Sequence, residues 1–220
     1  MDSLNYYTRI YDNFLSDEIC DAYVQCFEET MAKDKEEVDR TSICTGPTRP
    51  DGHRICGSCN CQRMNPMGFD RFDHLNTLAY NQFNNIIERY KDDTAIHESQ
   101  WPTKYGWEEF RMKRFLCGEG GPDAEQFKEH IDVTNHAGGK RFLIMMVYLN
   151  DDFGGGETVF PIFEDAIKPV KGRLIIFPPM WTYLHRGNPP LKPGYAKYFL
   201  MTYLNYIDLE KVNTNLINKD

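Results

Sequence analysis

Arg141-Phe142-Leu143-Ile144-Met145-Met146-Val147-Tyr148-Leu149-Asn150, followed after a short polar break by Gly154-Gly155-Gly156-Glu157-Thr158-Val159-Phe160-Pro161, decides how this chain is read. An apolar run of this length, closed by Asn and Asp and then by three glycines, reads as a buried strand that enters a turn and leaves as a second strand. The same texture of short apolar runs broken by Gly, Pro, Asp and Asn holds throughout the region after Trp107. It predicts strands at Glu109 to Leu116, Phe127 to Val133, Arg141 to Leu149, Thr158 to Phe160, Arg173 to Phe177, Thr182 to Arg186 and Lys197 to Tyr206. Strands so spaced close into two facing antiparallel sheets, a double-stranded β-helix or jelly roll.

Upstream the period changes from two to about 3.6. Ser16 followed by Glu18 is a plausible cap, and Ile19, Ala22, Tyr23, Cys26 and Phe27 then recur at helical spacing to about Lys35. Leu75, Leu78, Ala79, Phe83, Ile86, Ile87 and Tyr90 mark a second amphipathic helix from about Phe72 to Tyr90. The fold class expected is therefore α+β, with residues 1–106 a helical region packed on the outside of a jelly-roll core at 107–220. Between the helices, about 41–69, lies a Gly-, Pro- and Cys-rich stretch without a sustained period, expected to be a long ordered loop or a small metal-braced lobe.

Composition narrows the classes. With 41% hydrophobic and 14% aromatic residues in 220, the chain can bury one good core. A net charge of -8 makes general nucleic-acid binding unexpected, because neutralising phosphates takes a surplus of Lys and Arg. No basic stretch followed by an apolar run opens the sequence, and no run approaches the roughly 20 apolar residues needed to span a bilayer, so no signal peptide and no membrane partner are expected. Seven cysteines, an odd number, suit free thiols or metal ligands in a reducing compartment, and the expected location is cytoplasmic.

Glu129-His130-Ile131-Asp132 carries the chemistry. Residues two apart on a strand share a face, so His130 and Asp132 would project side by side. His185 stands 53 residues beyond Asp132 on another predicted strand. Two imidazoles and one carboxylate on one side of an ion leave positions open for further ligands; a set without thiolate favours iron, and leaves zinc, manganese and cobalt open. His136, in a polar Gly-rich run, is expected in a hairpin loop. Cys44, Cys56, Cys59 and Cys61, with His53 nearby, offer a separate structural zinc site, since C-x-x-C lets two thiolates reach one tetrahedral ion; the alternative is free thiols in a loop near the mouth of the barrel.

From Arg111 to Tyr206 the chain resembles the 2-oxoglutarate and Fe(II)-dependent oxygenase superfamily, particularly its prolyl-4-hydroxylase-like branch. The resemblance is carried by the His130/Asp132 pair, the 141–150 strand, Gly154 to Pro161, Pro169 to Phe177, His185 and Pro193-Gly194-Tyr195-Ala196-Lys197-Tyr198. It implies Fe(II) held by His130, Asp132 and His185, and 2-oxoglutarate as co-substrate with Lys197 pairing its far carboxylate. That assignment of Lys197 makes physical sense, because a dicarboxylate buried in an apolar barrel needs a fixed cation. The resemblance further implies that Thr158 and Tyr148 line the co-substrate pocket, whereas Arg186, directly after a ligand, should face the other way. The implied reaction uses O₂ to hydroxylate a C–H bond, first of all in a peptidyl prolyl residue, releasing succinate and CO₂; L-ascorbate is associated with the class. A free amino acid or other small molecule would use the same site, and a non-catalytic metal- or ligand-binding jelly roll is the alternative from another class. One departure stands out: Phe115 occupies a position where many prolyl-hydroxylase-like members carry a tyrosine that contacts the oxoacid.

Overall fold

The computed structural model describes residues 6–33, 61–117 and 125–207. Helix α1 (Asp17–Lys33) starts where the Ser16 hydroxyl accepts the Ile19 N–H, and it buries Cys20, Tyr23 and Phe27 on one face. Helix α2 (Asp73–Asp93) buries Leu75, Ala79, Phe83, Ile87 and Tyr90, a stripe three to four residues apart. No helix among the described residues is long and apolar enough to cross a membrane.

The strands are β1 (Arg9–Tyr11), β2 (Gln62–Met64), β3 (Tyr105–Trp107), β4 (Arg111–Leu116), β5 (Phe127–His130), β6 (Arg141–Tyr148), β7 (Thr158–Phe160), β8 (Asp165–Ile167), β9 (Leu174–Phe177), β10 (His185–Gly187) and β11 (Ala196–Tyr206). A seven-stranded sheet runs β1-β9-β6-β11-β4-β2, with β3 also on β11, and a four-stranded sheet runs β5-β10-β7-β8. The described pairings are antiparallel.

The seven strands expected from the sequence are all present, β7 with the expected ends and the other six with shifted ones. Four more were not foreseen: β1 and β2 come from the N-terminal region and join the large sheet, and β3 and β8 are three-residue strands. Two differences concern the site. Strand β5 stops at His130, so Asp132 projects from the bend that follows, and β10 begins only at His185.

The large sheet is buried on both faces, and alternation sorts its side chains into two layers. On β11, Tyr198, Leu200 and Leu204 pack toward the helices with Tyr23, Phe27, Phe83, Met145 and Ile176. Phe199, Met201 and Tyr203, out of phase with them, pack toward the smaller sheet with Phe115, Ile144, Phe160, Ile175 and Phe177. Each fully buried side chain of this size contributes about 1.5–3 kcal/mol by leaving water. The second layer surrounds a cavity lined by residues of both sheets.

Candidate metal centre

His130 and His185 are direct partners in the antiparallel β5–β10 pair, so the register itself puts two imidazoles on one face, with ring centroids 4.3 Å apart. Asp132, brought back by the bend after β5, places Oδ1 3.7 Å from His130 Nε2 and Oδ2 3.8 Å from His185 Nε2. Those spacings are too long for hydrogen bonds. They suit donors that share an ion, which stand up to about 4.2 Å apart when each is about 2.1 Å from it. The three donor atoms lie within 4.8 Å of one another, and they form the one group of three or more His, Cys, Asp or Glu able to hold a metal among the described residues.

The hydrogen bonds fix which atoms face the centre. His130 Nδ1 donates to the Lys128 carbonyl at 2.7 Å and His185 Nδ1 to the Tyr183 carbonyl at 2.9 Å. A carbonyl can only accept, so each ring carries its proton on Nδ1 and turns the Nε2 lone pair toward Asp132. Burial, the largest influence on His185, pushes its pKa down against the pull of Asp132, which favours the neutral ring a metal requires. On Asp132 burial pushes upward, but positive charge on His130 and His185, together with the Tyr203 hydroxyl, outweighs it and holds the pKa at about 2; where the rings are neutral, a bound cation would supply that charge. Its Oδ2 is buried without a hydrogen-bond partner. A buried carboxylate oxygen left so costs free energy, and a cation at this point would remove that cost. The donor set and its orphaned oxygen thus fit a divalent metal.

Tyr203, which sequence reasoning passed over, donates to Asp132 Oδ1 at 3.0 Å and so leaves Oδ2 for the ion. It is held in turn by Arg141, whose guanidinium lies 4.1 Å from the Tyr203 ring centroid and pairs twice with Glu108, at 2.7 and 3.0 Å. The signal that would have found Tyr203 is its phase: residues 197, 199, 201 and 203 share one face of a single strand.

From the metal donors the cavity runs to Lys197, which is only 3% exposed. Its ammonium donates to the Gly156 carbonyl at 2.6 Å. Burial lowers its pKa to about 7, with Glu157 opposing and Lys113 adding to the shift. Thr158 lines the cavity; Tyr148 stands behind it, sharing a 2.5 Å hydrogen bond with the Thr158 hydroxyl and placing its ring 5.3 Å from the Lys197 ammonium. Tyr148 therefore touches the pocket through Thr158. Arg186 points away and pairs with Glu129 at 3.2 Å, and His136 sits in an exposed turn. Phe127 stacks on His130 at 3.8 Å and Phe177 meets His185 edge-on at 5.0 Å, walls that keep water from the donors. Lys113, also unforeseen, lines the same cavity. Of the cysteines expected to hold zinc, Cys44, Cys56 and Cys59 lie outside the described residues, as does His53, and Cys61 is buried beside the Phe115 layer.

Two facing antiparallel sheets enclose a two-histidine, one-carboxylate cluster, forming a jelly roll whose donor set fits a non-haem metal. Residues 115–205 match the family model of the 2OG-Fe(II) oxygenase superfamily. In this part the chain is similar to the 2OG-Fe(II) oxygenases, and among its curated relatives is one named as a prolyl 4-hydroxylase. A "Putative prolyl 4-hydroxylase" of Acanthamoeba polyphaga mimivirus is 35% identical over 135 residues, which are 59% of this chain and 49% of the relative; the chain thus spans about half the length of the curated relative it matches. Among solved structures, the viral collagen prolyl hydroxylase vCPH of Paramecium Bursaria Chlorella virus-1, in its 2OG complex, superimposes with a TM-score of 0.60 at 23% identity, covering 91% of this chain and 97% of that one. A Pseudomonas putida prolyl-4-hydroxylase gives 0.58 at 14% identity, with 94% and 96% covered. A prolyl hydroxylase from Trichoplax adhaerens, in complex with a hypoxia inducible factor oxygen degradation domain peptide fragment, gives 0.60 at 12% identity, with 98% and 89% covered. At these identities the structural likenesses show the fold.

Proposed function

We propose that the protein is a 2-oxoglutarate- and Fe(II)-dependent dioxygenase that hydroxylates a C–H bond of a peptidyl prolyl residue. The observation that carries this reading is one cavity with two chemically matched ends. At one end His130, Asp132 and His185 converge around the unpartnered Asp132 Oδ2; at the other, Lys197 is a buried ammonium bonded to a neutral carbonyl.

Each residue then has a role. His130, Asp132 and His185 would hold iron on one side and leave the opposite side for the oxoacid and O₂. Lys197 anchors the far carboxylate of the oxoacid, aided by the Thr158 hydroxyl that Tyr148 orients. Tyr203 keeps Asp132 turned, and Phe127 and Phe177 keep the centre dry. Iron(II) with the oxoacid supplies oxidative decarboxylation, in which one atom of O₂ enters succinate as CO₂ leaves and the other is inserted into the substrate C–H bond.

Proline in a peptide is favoured because the similar proteins are named prolyl hydroxylases and one was solved with a peptide bound. Cys20 and Cys26, free thiols of α1, suit a reducing compartment such as the cytoplasm. The test is a screen of Pro-rich peptides scored by succinate release above the uncoupled background and by a mass gain of one oxygen on proline. Succinate release with free amino acids alone would refute the peptidyl substrate. Absence of the weak visible charge-transfer band on anaerobic addition of Fe(II) and 2-oxoglutarate would refute the oxygenase and leave a binding jelly roll.

A further inference from the structure

Lys113 lies in the middle of β4 and is only 5% exposed, with its side chain in the cavity. Its ammonium stands 3.9 Å from the centroid of Phe127 and 5.6 Å from that of Phe199. Among the described residues it has neither a carboxylate partner nor a hydrogen-bond acceptor. Ring faces offset only part of the lost hydration of a buried ammonium. The one acidic side chain lining the cavity is Asp132, which belongs to the metal end. Lys113 is therefore a cation built toward an anion that enters from outside.

The register says where that anion sits. On β11 Lys197 pairs with Phe115, and Phe199 pairs with Lys113, so the two lysines stand two residues apart along adjacent strands. That is an offset of about 6.6 Å, directed toward the Tyr203–Asp132 end. The Lys113 charge is felt by His185 at one end of the cavity and by Lys197 at the other. A five-carbon oxoacid whose far carboxylate meets Lys197 carries its second carboxylate four bonds away, toward the metal donors and abreast of Lys113.

We propose that Lys113 is a second anchoring cation, pairing with the metal-side carboxylate of the oxoacid while Lys197 takes the far one. This rests on the reading of the cavity as an oxoacid site. Lys113 thereby makes the pocket a clamp for a dicarboxylate rather than for a monoacid. Its partner is the co-substrate, so its loss is felt in oxoacid affinity and not in peptide affinity.

The test uses full-length protein loaded with Mn(II), which does not turn over, and calorimetric titration with two probes: 2-oxoglutarate, and succinic semialdehyde, which lacks the metal-side carboxylate. In Lys113→Met the dissociation constant for 2-oxoglutarate is expected to rise about tenfold to a hundredfold, the value of one charge-assisted contact. Succinic semialdehyde binding should be unchanged in that variant, and Lys113→Arg should hold 2-oxoglutarate within about threefold of the parent. Equal weakening of both probes would overturn the proposal by assigning Lys113 a structural role, as would a 2-oxoglutarate affinity unaltered in Lys113→Met. A raised peptide KM with oxoacid affinity intact would also overturn it and assign Lys113 to an anionic group of the substrate. If the unmutated Mn(II) protein binds no 2-oxoglutarate at all, the oxygenase reading itself fails and this inference falls with it.

Discussion

Binding of 2-oxoglutarate should draw a proton from solution, and the amount follows from the burial of Lys197. With a pKa of about 7 before the oxoacid arrives, Lys197 is about nine-tenths neutral at pH 8 and about nine-tenths charged at pH 6. Pairing with a carboxylate requires the ammonium form. Oxoacid binding to the Mn(II)-loaded protein should therefore take up about 0.9 proton at pH 8 and about 0.1 at pH 6, and the apparent dissociation constant should rise about tenfold per pH unit above 7. The assay is calorimetry in buffers of different ionisation enthalpy, where the slope of observed heat against buffer enthalpy counts protons. Lys197→Met should abolish both the binding and the uptake. The same variant should be more stable than the parent in the absence of ligand. A lysine that ionises near 10.4 unfolded and near 7 folded destabilises the fold by up to roughly 4 kcal/mol at pH 7, and this cost fades as pH rises toward 10.4. A buffer-independent heat at pH 8 would refute the reasoning, as would a Lys197→Met variant that binds 2-oxoglutarate as the parent does.

Asp132→Asn keeps the shape of the site and removes its charge; Mn(II) affinity, measured by competition with a fluorescent chelator, should fall at least a hundredfold, since loss of an outer hydrogen bond alone costs tenfold or more. Tyr203→Phe frees Asp132 Oδ1 and should weaken Mn(II) binding about tenfold, with the melting temperature of the metal-free protein nearly unchanged; equal affinity would show that the hydroxyl does not orient the carboxylate. Gly156→Ala meets two penalties, a backbone φ of +73° and a Cβ placed 2.5 Å from Phe153 and 3.2 Å from the Lys197 side chain. Denaturant unfolding should report a loss of about 2 kcal/mol or more, with oxoacid affinity falling alongside it.

Much of this architecture is legible before any coordinates because β6, β9 and β11 are buried on both faces and so appear as largely apolar runs. The three-residue strands β1, β3 and β8 are too short to show a period; they are strands because longer neighbours offer them an edge to pair with. The His130/His185 pairing could be proposed from strand logic, but Asp132 reaches the centre from a bend that the logic did not contain. Lys113 was hidden by its setting, since Arg111-Met112-Lys113-Arg114 reads as a solvated basic edge. Arg114 faces helix α1, where it pairs with Glu28 at 2.7 Å, and Lys113 alternates to the opposite face, into the cavity. Tyr203 carries no motif, and only its register on β11 with Lys197 marks it.

Strand β5, four residues long, pairs only with β10 among the described residues, and its side chains are partly or fully exposed. Lys197 and Tyr203 ride instead on β11, hydrogen-bonded along both edges inside the large sheet. Amide hydrogen exchange should therefore be fast at residues 127–132 and slowest on β11 in metal-free protein, and an ion should slow the former without touching the latter. The ion's three donors all belong to the bank formed by β5 and β10, so an ion firms that bank, and the co-substrate held between it and Lys197 of β11 then bridges the two sheets, which gives assembly an order: ion first, co-substrate second.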